Sequence, residues 1–308
     1  MSGAPARLTA VYGAPPAALA PVAPASLQLS PFAIGSTPID ALADASVESL
    51  VILAPAGAVE RRWVLAHGLR ALAANGSLHA LALKDRGGAR LANELKAFGC
   101  APVNASAKAH FRLCRTRRPA EPAGLAAAIA EGALQRHSRL GLWTQPGIFA
   151  WDRIDPGSAL LLAQPWRPKG RGVDMGCGLG VLAQALLASP AIDSLLLVDL
   201  DRRALEAAKR NVADRRASFL QHDLRQAVAG LIDIDFAIMN PPFHDRGAED
   251  RPLGRQFVTS AAAMLRKGGV LRLVANVALA YERPLGEAFA EVRMLACEGG
   301  YKVLEAVR

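Results

Sequence analysis

Cysteine is scarce in this sequence: there are four in 308 residues, Cys100, Cys114, Cys177 and Cys297. They form no C-x-x-C pair and stand beside no histidine at ligand spacing. That excludes a zinc cage and a disulfide framework, and points to a reducing compartment and no structural metal. No run reaches the roughly 18 uninterrupted apolar residues of a membrane-spanning helix. The Ala- and Pro-rich start has neither a basic leader nor a compact apolar core, so no export signal is read there and the expected location is cytoplasmic. Negative charge is the scarcer sign, with 27 Asp and Glu against 36 Lys and Arg, a net +9. Such a surplus suits a polyanionic partner, because Lys and Arg displace the counterions of nucleic acid; it equally serves a surface that only keeps the chain soluble. Arginines cluster at Arg112, Arg115, Arg117 and Arg118, and again at Arg246, Arg251 and Arg255.

What is present is material for folding. Apolar residues make up 52% of the chain and charged residues 20%, a globular balance. At about 150 residues per domain the length suggests two domains. Residues 1 to 30, with prolines at 15, 16, 21 and 24, read as a loosely ordered start. A buried-strand signal follows at Leu50-Val51-Ile52-Leu53-Ala54, then a helix through Leu72, an apolar run from Leu78 to Leu83, a helix from Ala89 to Phe98 and a strand from His110 to Cys114. The segment from Arg115 to Gly124 combines charge, two prolines and a glycine, the composition of an interdomain linker. The expected domains are residues 1–120 and 121–308.

Beyond the linker, strands at Gly172–Met175, Ser194–Asp199, Phe219–Gln221, Phe236–Met239 and Val270–Ala275 alternate with helices at Val181–Ala188, Arg203–Ala213 and Gln256–Leu265. That order predicts an α/β domain with a parallel sheet covered on both faces. A weak internal repeat joins the halves: the strand, helix and strand from Val51 to Leu83 parallel those from Phe236 to Ala275. The first half, however, has Ala54-Pro55-Ala56-Gly57 where the second has Asn240-Pro241-Pro242-Phe243, and it has no glycine-rich first turn.

Chemistry concentrates in the second half. Asp174, Gly176, Gly178 and Gly180 lie in one turn between a strand and a helix, where glycines let backbone approach a ligand closely. The acidic residue before the first glycine suits an amino group, such as that of the methionine end of S-adenosylmethionine, better than a pyrophosphate. Asp199 ends the next strand, 25 residues after Asp174, where a carboxylate can bind both hydroxyls of a ribose; Asp201 reads instead as a helix cap. Asp223, after the third strand, is a candidate acceptor for an adenine amino group, or a solvated loop residue. Asn240-Pro241-Pro242-Phe243 closes the fourth strand. The prolines make a rigid turn. A planar amine there can donate to the Asn240 side-chain oxygen and the Pro241 carbonyl while Phe243 stacks on the ring that carries it. His244 is read as a contact at most. Cys177, without a partner base, is read as a small residue that fits.

These residues carry a resemblance. Residues 144 to 308 resemble the catalytic domain of the RsmC-type ribosomal RNA small-subunit guanine-N2 methyltransferases, and also the related large-subunit guanine-N2 enzymes. The matching stretches are Pro146–Phe149, Asp155–Leu162, Asp174–Gly180, Asn240–Asp245, Gly268–Asn276 and Gly299–Ala306. The resemblance implies a Rossmann-like class I methyltransferase domain with a seven-stranded sheet, closed by an antiparallel hairpin around Glu298-Gly299-Gly300. It implies a degenerate, non-catalytic methyltransferase-like domain before it, here shorter than in the family. The implied cofactor is S-adenosylmethionine, the implied partner ribosomal RNA or a ribosomal subunit, and the oligomeric state is left open. Sister families use the same turn on adenine N6 or a glutamine amide, and a non-catalytic RNA-binding protein with a relic pocket is the rival reading outside the enzyme class.

Overall fold

A computed structural model describes residues 8–20, 22–242, 244–245, 248–249 and 251–308, with side chains from 243 to 252 left aside. The chain divides into two units, Met1–Leu134 and Gln135–Arg308.

In the first unit, strands β1 (Leu8–Tyr12), β2 (Leu27–Gln28), β3 (Val47–Leu53), β4 (Leu72–Leu83), β5 (Asn104–Lys108) and β6 (Phe111–Arg117) form one sheet in the order β2-β1-β3-β4-β6-β5. Helices α1 (Ala58–Ala71), α2 (Ala89–Ala97) and α3 (Leu125–Gly132) accompany it. The expectation of a loosely ordered start is corrected here, because β1 pairs in parallel with both β2 and β3. The prolines that suggested disorder all fall between or outside these two short strands. Arg115–Arg117 continue β6, and α3 packs on α1. Gly132 lies so close that an added Cβ would stand 2.4 Å from the Trp63 Cβ. The charged proline-bearing segment after Arg117 is therefore internal to the first unit. Leu50, Ile52, Val64, Leu65, Leu69 and Leu91 fill its core.

The second unit opens with a short hairpin, β7 (Gln135–Arg136) and β8 (Trp143–Thr144), and helix α4 (Pro156–Ala163). It continues with β9 (Gly170–Met175), α5 (Val181–Leu186), β10 (Ile192–Asp199), α6 (Arg202–Asn211), β11 (Ala217–Gln221) and β12 (Ile234–Met239). After the two-residue strands β13 (His244–Asp245) and β14 (Ala248–Glu249) come α7 (Arg251–Met264), β15 (Leu265–Asn276), α8 (Glu282–Ala288), β16 (Glu291–Glu298) and β17 (Tyr301–Val307). Seven strands make one sheet in the order β11-β10-β9-β12-β15-β17-β16, parallel through β15, with β17 antiparallel to both of its neighbours. Inner strands read as nearly continuous apolar runs because both faces are covered. One face packs Val258, Ala261 and Leu285 from α7 and α8, and the other packs Leu161, Leu182, Leu205 and Ala208 from α4, α5 and α6.

From β9 the chain winds outward through β10 to β11, then crosses back to β12 on the other side of β9. The reversal leaves a crevice at the carboxyl ends of β9 and β12, where ligands of such sheets bind. The first sheet has the same order and the same parallel and antiparallel pairings and, among the described residues, no strand beyond β2 and no helix between β1 and β2.

Candidate active site

Three of the sequence-derived residues meet at that crevice because three neighbouring strands deliver them: Asp174 near the end of β9, Asp199 as the last residue of β10, and Asn240 just past β12. Asp174 is fully buried, and neither carboxylate oxygen has a hydrogen-bond partner. A buried anion without partners is costly. Burial accordingly pushes its pKa from 3.8 up to about 7; the Ala183 N–H at the start of α5, facing the carboxylate without meeting hydrogen-bond geometry, opposes the rise and the nearby Asp199 carboxylate adds to it. Such a group can take up a proton or pair with a cationic donor.

The glycine turn is built around Asp199. Gly176 and Cys177 donate to the Val198 carbonyl at 2.8 and 3.0 Å, and Gly178 N–H donates to Asp199 Oδ2 at 2.9 Å. Gly178 has φ +52°, and a Cβ placed on it would meet nothing within 4 Å, so it borders open space on the ligand side. Gly180, at φ +79°, packs instead against α6, where a Cβ would come within 2.7 Å of Val212. Asp199 Oδ1 accepts from Asp201 N–H at 2.8 Å. Its pKa rises from 3.8 to about 6: burial and the neighbouring Asp201 raise it, and the N–H groups of Asp201, Gly178 and Leu200 hold it back. Its rim is still open to solvent. Asp201 caps α6, accepting from Arg203 N–H at 2.9 Å and pairing with the Arg203 guanidinium. Cys177 is buried beside both aspartates, and its thiol is held well above its ordinary pKa, first by burial and then by their charge; it makes no nucleophile.

Asp223 is brought beside Asp199 by the His222 N–H, which donates to the Asp199 carbonyl at 3.1 Å. Its carboxylate is held by Arg225, whose Nε lies 2.9 Å from each oxygen, and this pairing lowers its pKa. Pro241 is buried and Pro242 exposed, while Phe243 lies outside the described residues.

Asn240 is the best-defined member. Its Nδ2 donates to Asp155 Oδ2 at 2.7 Å and to Ser158 Oγ at 2.9 Å, while its Oδ1 is buried without a partner. Asp155 is the N-cap of α4, accepting from Ser158 N–H at 2.8 Å, with Pro156 next. Neither Asp155 nor Ser158 was singled out as a site residue in the sequence. The local signal, Asp followed by Pro, announces a helix start and says nothing about a partner in the β12 turn. A second missed residue is Asn211. Its side chain takes Trp143 N–H at 2.7 Å and donates to the carbonyls of Trp143 and Leu179, tying β8 to the glycine turn.

The corresponding turn of the first unit, after β3, is filled by its own side chains. The fully buried Arg61 donates to the carbonyls of Pro55 and Ala56 at 3.2 and 2.7 Å, and both arms of its fork meet Glu94 at 2.7 Å. Gly87 makes room for it, since a Cβ there would stand 2.0 Å from Arg61 Nη1. Among the described residues no cluster of His, Cys, Asp and Glu is arranged to hold a metal, and no helix is long and apolar enough to cross a membrane.

Residues 139–305 match the family described as Methyltransferase small domain. The chain is 36% identical over 168 residues to the Ribosomal RNA small subunit methyltransferase C of Idiomarina loihiensis, and 36% identical over 172 residues to the protein of that name from Cronobacter sakazakii. These alignments cover 53% and 54% of this chain but only 48% and 49% of the relatives, so the chain spans about half the length of the curated relatives it matches. Among solved structures, the 16S rRNA N2 methyltransferase RsmC of T. thermophilus, in complex with AdoMet and guanosine, aligns with a TM-score of 0.72 at 25% identity, over 88% of this chain and 75% of that one.

Proposed function

The chain belongs to the methyltransferase small domain family, and we propose that it transfers a methyl group from S-adenosylmethionine to the exocyclic N2 amine of a guanine in ribosomal RNA, that of the small subunit in the first place. The observation that carries this reading is the Asn240 amide: both its donor hydrogens are used within the protein and its buried oxygen is left as an unpartnered acceptor. An amine nitrogen about to be methylated has hydrogens to donate, and a carbonyl oxygen fixed in advance orients it and favours the positive charge that develops there.

Support for the cofactor comes from the same crevice. The two unpartnered oxygens of Asp174 fit an ammonium group, the Asp199 carboxylate fits a pair of ribose hydroxyls and the open side of Gly178 admits a ligand, while Asp223, held at both oxygens by Arg225, would have to share one of them with an adenine amino group. When bound, S-adenosylmethionine supplies a methyl group made electrophilic by its sulfonium. The chain's own part is to hold the acceptor nitrogen. Asn240 and the Pro241 carbonyl take its hydrogens, the prolines keep that turn from rearranging, and Phe243 stacks on the ring. Guanine pairing hides this amine, so the base is unpaired or flipped out of its stack when it enters. The net +9 charge then serves to hold RNA.

Guanine as the ring is favoured by the T. thermophilus enzyme, whose structure holds guanosine and whose alignment extends across both units of this chain. We further infer that the first unit binds no cofactor. Arg61 and Glu94 occupy its turn, and no Asp or Glu stands at the ends of β1 and β2, where β9 and β10 carry Asp174 and Asp199. The test is to incubate the protein with unmodified small subunits, large subunits and their naked RNAs plus labelled cofactor, and to digest the products to nucleosides. Label is expected in N2-methylguanosine from small-subunit material; label in N6-methyladenosine, or none in any RNA, overturns the assignment.

A further inference from the structure

Asn240 has to present an oxygen, and not an NH2 group, to its ligand, yet the two ends of a carboxamide have almost the same shape. The choice between them is made by the N-terminus of α4. Asp155 Oδ2 receives two hydrogens at once, from Ser158 N–H at 2.8 Å and from Asn240 Nδ2 at 2.7 Å, and Ser158 Oγ receives the second Nδ2 hydrogen at 2.9 Å. An ionised carboxylate only accepts, so a flipped amide would press its own oxygen against Asp155. The capping bond to Ser158 N–H also keeps the carboxylate from turning aside. We propose that Asp155 and Ser158 are positioning residues for methyl transfer: they lock the Asn240 amide with Oδ1 toward the acceptor amine, acting through Asn240 without touching the substrate.

The inference rests on the reading that Asn240 receives the amine, and it assigns a reaction role to a helix cap over 80 residues away in sequence. It separates capping from positioning. A serine at position 155 still caps α4, because its hydroxyl accepts from Ser158 N–H. That hydroxyl can also donate a hydrogen, so it tolerates the flipped amide that a carboxylate excludes. An asparagine at 155 can offer one oxygen to both donors and should stand between the two.

The experiment compares the full-length parent with Asp155→Ser, Asp155→Asn, Ser158→Ala and Asn240→Ala, measuring kcat, KM for the RNA substrate, S-adenosylmethionine affinity and thermal midpoint. Asp155→Ser is expected to lose about tenfold in kcat with KM, cofactor affinity and midpoint nearly unchanged, the pattern of an interaction felt in the transition state. Asp155→Asn should recover most of that loss, and Ser158→Ala should lose about threefold. In the Asn240→Ala background neither Asp155→Ser nor Ser158→Ala should cost anything more, since each acts through the missing amide. Parental kcat in Asp155→Ser while Asn240→Ala is inactive, or losses that multiply in the double variants, would overturn the inference. Full turnover of Asn240→Ala would instead overturn the reading of the site on which it rests.

Discussion

Asp174 sets stability against its proposed part in holding the cofactor, and the conflict can be measured. The carboxylate is fully buried, has no hydrogen-bond partner and titrates near 7 in the folded chain, against an ordinary value of 3.8. A folded-state pKa raised above the unfolded one means that the folded chain holds more protons between about pH 4 and pH 7. Stability therefore falls as pH rises through that window and stays low above it. Each pH unit of separation amounts to about 1.4 kcal/mol once the group is ionised, so the full penalty is about 4 kcal/mol, of which more than half, about 2–3 kcal/mol, develops between about pH 5 and pH 8.5. Asp174→Asn removes the charge while keeping the shape. In urea unfolding of the full chain without cofactor, the variant should gain on the parent by about 2–3 kcal/mol on going from about pH 5 to pH 8.5. The same substitution should abolish S-adenosylmethionine binding. In the parent, cofactor affinity should fall toward tenfold per pH unit below about pH 6.5, because the proton has to leave Asp174 before an ammonium can pair with it. Parallel pH dependences for the two proteins, or cofactor binding that releases no proton near pH 6.5, would refute the reasoning.

Three further outcomes follow from the geometry. Asp199→Ala should weaken S-adenosylmethionine binding by about 1.5–3 kcal/mol, the scale of lost hydrogen bonds to a charged group, and near-parental affinity in calorimetry would remove Asp199 from the site. The same calorimetry on the full-length parent should give one cofactor per chain, since Arg61 fills the turn of the first unit; a stoichiometry of two would show that this unit binds as well. Glu305 is buried between Arg272 Nε and Arg293 Nη2, each at 2.7 Å, while Arg272 also lies over the Trp166 ring at 4.9 Å. Glu305→Ala leaves the buried Arg272 without its counter-charge and should cost about 3–5 kcal/mol, read as a lower urea midpoint; a loss under about 1 kcal/mol would mean that the pair is replaced by solvent.

How much of this was legible depended on whether a feature is local. The parallel strands of the second unit announce themselves because burial on both faces demands apolar runs, and Leu195, Leu197 and Val198 of β10 are as buried as that pattern requires. The glycine turn and the aspartates at its strand ends read correctly as neighbours in space, since the winding of such a sheet delivers successive strand ends to one crevice. Strands β1 and β2 were hidden by their length and by the prolines between them. β1 pairs with β3, which lies well along the chain, and β2 pairs with β1 alone among the described residues. The Arg272–Glu305 pair was hidden as well, being charge set within strands that otherwise read as apolar.

The Asp155–Asn240 contact shows the same limit at the site itself. The turn after β12 displays its chemistry openly: an amide, two prolines and an aromatic in a row. Which end of that amide faces a ligand cannot be read from those four residues, because the choice belongs to a carboxylate that the sequence presents only as a helix cap. The repeat in the first unit makes the converse point. Its six strands follow the order and pairings of six of the seven in the second sheet, yet the residues after β3 surround a buried guanidinium where the second unit leaves an open acceptor. Backbone topology is therefore shared by a turn with an unpartnered buried acceptor and one already filled by Arg61. What separates them is what stands at the turn: the Arg61 guanidinium after β3, and after β12 an amide whose Oδ1, like both oxygens of Asp174, has no partner. A buried polar atom without a partner costs stability, and in this chain three such atoms converge on one crevice, where a bound cation and an amine would satisfy them.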